Sequence, residues 1–129
     1  MPPTPEQERI IRGERVAVLA TLRRDGGPQL TPVNYVYEDG RFLISTTRER
    51  AKYHNVRRDG RVALCILDPE GRPYVTVFGR AEIEEDDIEE GTARIARRIS
   101  QRPLPDKFAE LLRQQGRVLI VVTADRFVP

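Results

Sequence analysis

The chain has 129 residues, 39% of them hydrophobic and 33% charged, and its formal net charge is only +2. These values predict a single globular domain, residues 1–129, with a modest core, and they exclude a disordered chain. The one cysteine and one histidine exclude an internal disulfide and argue against a His-based metal site or a Ser-His-Asp triad, so we expect no metal. Because no apolar run approaches membrane-spanning length and the N-terminus lacks a signal-peptide core, we expect a cytoplasmic protein with no membrane partner.

A short helix is predicted at the start of the chain, within Met1 to Gly13. Thr4 and Gln7 have the spacing of a capping box, and Pro5 suits the first helical position. We expect this helix to cover one end of a barrel.

Three strands follow, at residues 16–22, 28–37 and 41–46. The first is apolar almost throughout, which predicts burial on both faces, whereas the second alternates between apolar and polar side chains. Asp25-Gly26 and Asp39-Gly40 are typical of the tight turns between such strands. Pro32 has no N–H to donate, so its part of the strand is an edge, a bulge or a ligand-facing segment.

The segment from Ser45 to Arg61 combines hydroxyls with a dense set of cations. The hydroxyls of residues 45–47 are predicted to line a turn after the third strand, and a short cationic helix is predicted next. Helix N-terminal N–H groups, hydroxyls and guanidinium groups together favour a phosphate site. The alternative is that the helix is rich in arginine only because it is solvated.

The second half of the chain is predicted to hold the remaining strands and two more helices. The expected strands are 62–67, 74–84 and 118–123, and the expected helices are one from Asp86 or Asp87 to about Ser100 and one around Phe108 to Leu112, before Gly116. Gly79 is a predicted bulge within the long strand. The total is a mainly β fold, a six-stranded antiparallel barrel with inserted helices. Because several strands are apolar on both faces, we expect a second copy to cover part of the wall, giving a homodimer.

Short motifs in a fixed order resemble a known superfamily. Residues 18–22, 25–26 and 28–33 resemble the opening of the pyridoxamine-phosphate-oxidase-like, FMN-binding split β-barrels, and residues 77–82 resemble a later strand. Residues 50–52, 55–59 and 61–64 are similar to its F420-dependent, deazaflavin branch in particular.

The resemblance implies a homodimeric split barrel with cofactor bound at the dimer interface. Arg50 and Lys52 would hold the cofactor phosphate, with the hydroxyls of residues 45–47 beside it and the segment 29–33 along the ring system. Tyr74 and its neighbours would close the site from the partner chain. The full set of implied cofactor-binding residues is Gln29, Leu30, Thr31, Pro32, Val33, Ser45, Thr46, Thr47, Arg50, Ala51, Lys52, Asn55, Tyr74 and Val75.

The implied activity is hydride transfer between the deazaflavin coenzyme F420 and a small unsaturated organic acceptor. Such chemistry needs alignment more than a catalytic base, because the cofactor carries it. No catalytic residue is identified; Tyr35, Tyr37 or a water could supply a proton. The chain has no tryptophan and ends at Pro129, which argues against vitamin B6 oxidation.

Alternative functions are an FMN-binding oxidoreductase of the same fold and a non-catalytic flavin or deazaflavin carrier. A nucleic-acid partner is not expected, because the net charge is small and Tyr53 is the only aromatic residue among the cations. F420 is favoured over FMN by its longer anionic tail. Four arginines, Arg48, Arg57, Arg58 and Arg61, are expected to attract that tail.

Overall fold

The computed structural model describes residues 2–129; Met1, the first residue of the segment predicted to hold the N-terminal helix, lies outside them. That part of the chain forms four helices and seven strands. In chain order they are α1 (Pro5–Gly13), β1 (Val16–Leu22), β2 (Pro28–Asn34), β3 (Val36–Glu38), β4 (Arg41–Thr47), α2 (Ala51–Arg58), β5 (Arg61–Leu67), β6 (Tyr74–Glu84), α3 (Ile88–Ile99), α4 (Phe108–Gln114) and β7 (Arg117–Val128).

The strands form one antiparallel sheet in the order β2-β1-β5-β6-β7-β4-β3. Its two edge strands, β2 and β3, are consecutive in the chain and separated only by Tyr35. The sheet therefore curls until its edges meet at that residue, which gives the mainly β, split-barrel architecture predicted from the sequence.

The strand count differs from the prediction of six, because the strand expected at residues 28–37 is two strands. Tyr35 breaks it: its amide donates to the Arg15 carbonyl oxygen at 3.1 Å, and its hydroxyl donates to the Ile11 carbonyl oxygen at 2.5 Å. The chain is held there against α1 and the start of β1. It then leaves β1 and continues as β3 beside β4.

Several local predictions are confirmed. Thr4 and Gln7 form a capping box at the start of α1, and a register shift between Phe78 and Gly79 marks the predicted bulge in β6. Asp87 is the N-cap of α3, but it lies in the left-handed region at φ 52° and its side chain makes no capping hydrogen bond.

The hydroxyl segment is placed differently from the prediction of a turn. Ser45, Thr46 and Thr47 are the last residues of β4, and the turn begins only at Arg48. The strand continues because these three residues pair with the first residues of β7, Thr47 with Arg117.

The two outer regions of the sheet are covered differently. Helix α3 packs on the outside of β4 and β7, where Ile95 meets Leu43 and Leu119. The outer face of β2, β1, β5 and β6 carries apolar side chains that are open to solvent in the single chain: Leu30 (66% exposed), Val16, Tyr74 and Phe78. No helix within residues 2–129 is long and apolar enough to cross a membrane.

Candidate functional site

The end of β4 brings two unsatisfied hydroxyls to the start of α2. Alternation along the strand turns Thr46 inward with Ile44, and Thr47 outward with Ser45. The hydroxyl oxygens of Thr46 and Thr47 are both buried and have no hydrogen-bond partner among the described residues. Because buried polar groups are normally paired, these two are candidates for contact with a bound polar group.

The N-terminus of α2 is available to an anion. Arg50 is its N-cap, makes no side-chain capping bond, and is followed by no acidic residue in the first turn. The amide of Arg50 donates to the Thr47 carbonyl oxygen at 3.1 Å, which fixes the helix start directly after the strand. Free N–H groups and the helix dipole favour negative charge at this position.

Three cations meet beside this helix start, and one of them was not predicted. The pKa of Lys52 is lowered from its ordinary value by burial, and further by the positive charges of Arg50 and Arg117. Arg117 reaches the site because β7 pairs with β4, and its Nη1 donates to the Ser45 hydroxyl at 3.3 Å. Among the described residues, none of the three has a carboxylate within 4.0 Å.

The sequence held one signal for Arg117. It directly follows the glycine that ends α4 and begins the last apolar run. Its proximity to Ser45, however, depends on the pairing of two strands that are 72 residues apart.

Asn55 and Gln29, both predicted to bind cofactor, lie together in the interior. The amide nitrogen of Asn55 donates to the Thr21 hydroxyl at 3.1 Å and to the Gln29 side-chain oxygen at 3.4 Å. Its oxygen accepts from Arg58 at 2.9 Å. These bonds attach α2 to β1 and β2, so Asn55 holds the helix in place with its polar atoms already engaged.

The remaining predicted residues divide between two faces. Along β2, Gln29, Thr31 and Val33 share the inner face, whereas Leu30 and Pro32 are on the exposed outer face. In β6, Tyr74 is exposed but Val75 is fully buried. The side chains of the outer residues Leu30, Pro32 and Tyr74 are therefore free to contact a cofactor. Val33 and Val75 could contact one only through their backbones. Direct contact by any of them stays a prediction.

The arginines expected to hold an anionic tail have different partners. Arg48 pairs with Glu85 at 3.6 Å and Arg61 with Asp59 at 2.7 Å. The bond from Arg61 holds the pKa of Asp59 down to about 2. Arg57 donates to the Tyr53 hydroxyl at 2.9 Å. Arg61 is thereby committed to a neighbouring carboxylate.

A cationic hollow lies beside α2, and it includes side chains that the sequence did not single out. Its volume is about 680 Å³, and it is lined by Arg24, Arg48, Tyr53, His54, Arg57 and Arg58. Arg24 comes from the turn between β1 and β2. Cationic side chains from α2, from the turn before it and from the β1–β2 turn can therefore contact an anionic group in the hollow.

The two tyrosines considered as proton donors are held beneath α1. Tyr35 is 1% exposed, and burial raises the pKa of its phenol, whose proton is already donated to the Ile11 carbonyl oxygen. Burial also raises the pKa of Tyr37, and the Arg12 guanidinium lies 5.1 Å from its ring centre. The Tyr35 hydroxyl and the Tyr37 ring therefore both contact α1 and attach it to the barrel. Within residues 2–129, no three His, Cys, Asp or Glu side chains are arranged to hold a metal ion.

A family model described as pyridoxamine 5'-phosphate oxidase matches residues 3–128, which confirms the superfamily predicted from the short motifs. Among solved structures, an F420 reductase is 27% identical, with a TM-score of 0.79, and the match covers 98% of each chain. A conserved hypothetical protein from Mycobacterium tuberculosis is also 27% identical, with a TM-score of 0.80 over 98% of this chain and 83% of that one.

A more distant structure shows how widely this fold is used. HutZ, the heme storage protein from Vibrio cholerae, is 16% identical, with a TM-score of 0.77 over 99% of this chain and 94% of that chain. At this identity the likeness shows the fold alone.

Proposed function

This chain belongs to the pyridoxamine 5'-phosphate oxidase family, and we propose that it is an oxidoreductase that uses F420 to reduce a small unsaturated organic molecule. The observation that carries the proposal is the group of three cations at the start of α2, Arg50, Lys52 and Arg117, which have no carboxylate partner among the described residues. The outward hydroxyl of Thr47, which is buried and has no partner among the described residues, lies beside it. This combination fits the phosphate that F420 and FMN both carry.

Each group has a defined part in holding that phosphate. The Arg50 and Lys52 side chains and the first N–H groups of α2 supply positive charge and donors. Arg117 adds a third cation from β7, oriented by its bonds to Ser45 and to the Gln115 side chain. The outward Thr47 hydroxyl completes the set. Because β4 pairs with β7 and Asn55 attaches α2 to β1 and β2, the backbones that carry these side chains are held in place before the ligand arrives.

When bound, F420 supplies the hydride. The chain's own contribution is to bind, orient and exclude water, which needs no catalytic base of the protein. The exposed side chains of Leu30 and Pro32 on β2 offer an apolar surface for the ring system.

The cationic hollow beside α2 favours F420 over FMN. F420 has an anionic tail beyond its phosphate, and Arg24, Arg57 and Arg58 line the hollow beside α2, the same helix that has Arg50 at its N-cap. Exposed charge pairs contribute about 0.2–1 kcal/mol each, so several are needed for a tenfold preference. The 27% identity to an F420 reductase over nearly the whole chain supports the same choice.

We also infer that the functional form is a homodimer. The uncovered apolar face of β2, β1, β5 and β6, with Leu30, Tyr74 and Phe78 exposed, is the kind of surface that associates. In such a dimer we expect Tyr74 of the second copy to close the cofactor site, as the family resemblance implies. Light scattering at micromolar concentration is the test, and a clean monomer mass would remove the interface from the proposal.

The deciding experiment is a parallel fluorescence titration of the purified protein with F420 and FMN, followed by turnover of reduced F420 with a panel of unsaturated acceptors. Arg50→Ala and Arg117→Gln should each weaken F420 binding roughly ten- to a hundredfold, through loss of a charge-assisted contact of about 1.5–3 kcal/mol. Arg97→Gln, an exposed arginine on α3, is the matched control and should bind as the wild type does.

The possible outcomes separate the candidate functions. Tighter binding of FMN, without oxidation of reduced F420, would assign the protein to the flavin-binding group, since the three-cation cluster serves either phosphate. Tight F420 binding without turnover of any acceptor would indicate a carrier. Unchanged affinity in both cluster variants would mean that the cations only solvate the helix.

A further inference from the structure

We propose that the chain has a second ligand site, a cavity between α3 and α4 that binds small carboxylic acids with an apolar body. The cavity has a volume of about 380 Å³, within the range of small-molecule sites. The cavity shares Arg117 with the group of three cations at the start of α2. The inference concerns the protein without bound cofactor, so it does not depend on the chain using F420.

The walls of the cavity are apolar and come from both helices. Ile95 and Ile99 line it from α3, and Phe108 and Leu111 line it from α4. Ile99 is 47% exposed, so part of this apolar surface faces solvent in the absence of a ligand. An apolar molecule between the helices would remove that surface from water, which is favourable in proportion to the area buried.

The floor of the cavity is polar and cationic. Arg117 lines it, and its guanidinium uses one N–H for the Ser45 hydroxyl at 3.3 Å and one for the Gln115 side-chain oxygen at 3.0 Å. A guanidinium has five N–H donors, so three are left. Because no carboxylate of the described chain lies within 4.0 Å of it, Arg117 can donate these N–H groups to the carboxylate of a ligand.

Thr92 provides the second polar contact. Its side chain lines the same cavity, the residue is only 8% exposed, and its hydroxyl oxygen is buried without a partner in the described residues. Such a group normally has a partner. An apolar wall, a buried free hydroxyl and a guanidinium at one end together select a molecule with a single anionic end.

The test is calorimetric titration of the full chain with trans-cinnamate, which has a flat apolar body and one carboxylate, and with neutral cinnamamide. We expect saturable binding of cinnamate at one molecule per chain, and at least about tenfold weaker binding of the amide. Arg117→Gln and the cavity-filling Ala96→Leu should each weaken cinnamate at least about tenfold, whereas Arg97→Gln should leave it unchanged. Equal binding of acid and amide, or no saturable binding of cinnamate, would overturn the proposal.

A measurement on the wild-type protein decides the question even if a variant fails to fold. Methyl signals of Ile95, Ile99 and Leu111 should shift on addition of cinnamate, and those of Leu30 and Val16 should not. Shifts confined to Leu30 and Val16 would show that the probe binds the open sheet face instead, and would refute the cavity site.

Discussion

Replacing Lys52 with methionine should stabilise the unliganded protein and weaken phosphate binding at the same time. Lys52 is partly buried beside Arg50 and Arg117, and burial and both charges lower its pKa. Methionine keeps an unbranched side chain of similar length but removes the charge. Loss of repulsion from two cations should raise the free energy of unfolding by about 0.2–1 kcal/mol for each neighbour, by analogy with exposed charge pairs. Loss of a charge-assisted contact to phosphate should cost about 1.5–3 kcal/mol of binding.

The stability difference should depend on pH with a defined sign. The folded-state pKa of Lys52 lies below the ordinary value of 10.5, which is taken for the unfolded state. Between these two pKa values the unfolded state binds more protons than the folded state, so the stability of the wild-type protein rises with pH. The advantage of the methionine variant should therefore be full below the folded-state pKa of Lys52. It should shrink as pH rises through that value and disappear above the unfolded-state value.

Urea unfolding of Lys52→Met and wild type, at low and high salt and across the alkaline range, measures these effects. Lys107→Met is the matched control, since Lys107 is exposed on the N-cap of α4 and should show no such pH-dependent gain. Screening should reduce the gain at high salt. A Lys52→Met variant that is less stable than wild type near neutral pH, or that binds phosphate-bearing cofactor equally well, would contradict the assignment of this cluster.

Three further changes test the fold around the site. Leu30→Glu should shift the protein from dimer to monomer in light scattering, because it places a charge on the open apolar face; an unchanged mass would locate the interface elsewhere. Tyr35→Phe should lower the free energy of unfolding by about 1–3 kcal/mol, since it leaves the buried Ile11 carbonyl oxygen without its donor, and an unchanged urea midpoint would contradict this. Gly79→Ala should cost about 1–3 kcal/mol by the same assay, because an added Cβ would overlap the Thr123 carbonyl oxygen; wild-type stability would show that the bulge can shift.

The elements of this fold could be predicted where the signal is local. The capping box at Thr4, the bulge at Gly79 and the strand 74–84 depend on neighbouring residues, and each is found at its predicted position. The break at Tyr35 could not be predicted in this way, because it depends on a hydrogen bond to Ile11 in a different element. A residue with strong strand propensity therefore divides a strand when tertiary contacts outweigh that propensity.

The same limit applies to the candidate site. Arg50 and Lys52 were predicted from a motif within one segment, and the structure places them together at the start of α2. Arg117 was missed because its proximity arises from the pairing of β4 with β7, and the length of the chain between these strands carries no information about their register. The cavity between α3 and α4 was missed for a related reason, since it arises only where the two separate helices pack near each other and near Arg117.

What separates a candidate ligand cluster from a solvated charged helix is the set of partners, which the sequence does not give. Arg48 and Arg61 each pair with a carboxylate, and Arg58 donates to the Leu22 carbonyl oxygen at 2.7 Å. The charges of Arg48 and Arg61 are therefore balanced within the chain. Arg50 and Lys52 have no such partner among the described residues, and the pKa of Lys52 is lowered by burial and by its cationic neighbours instead of being raised by a counter-ion. Like charges held close together lower the stability of the unliganded protein. Their presence is explained if an anion from outside the chain binds between them.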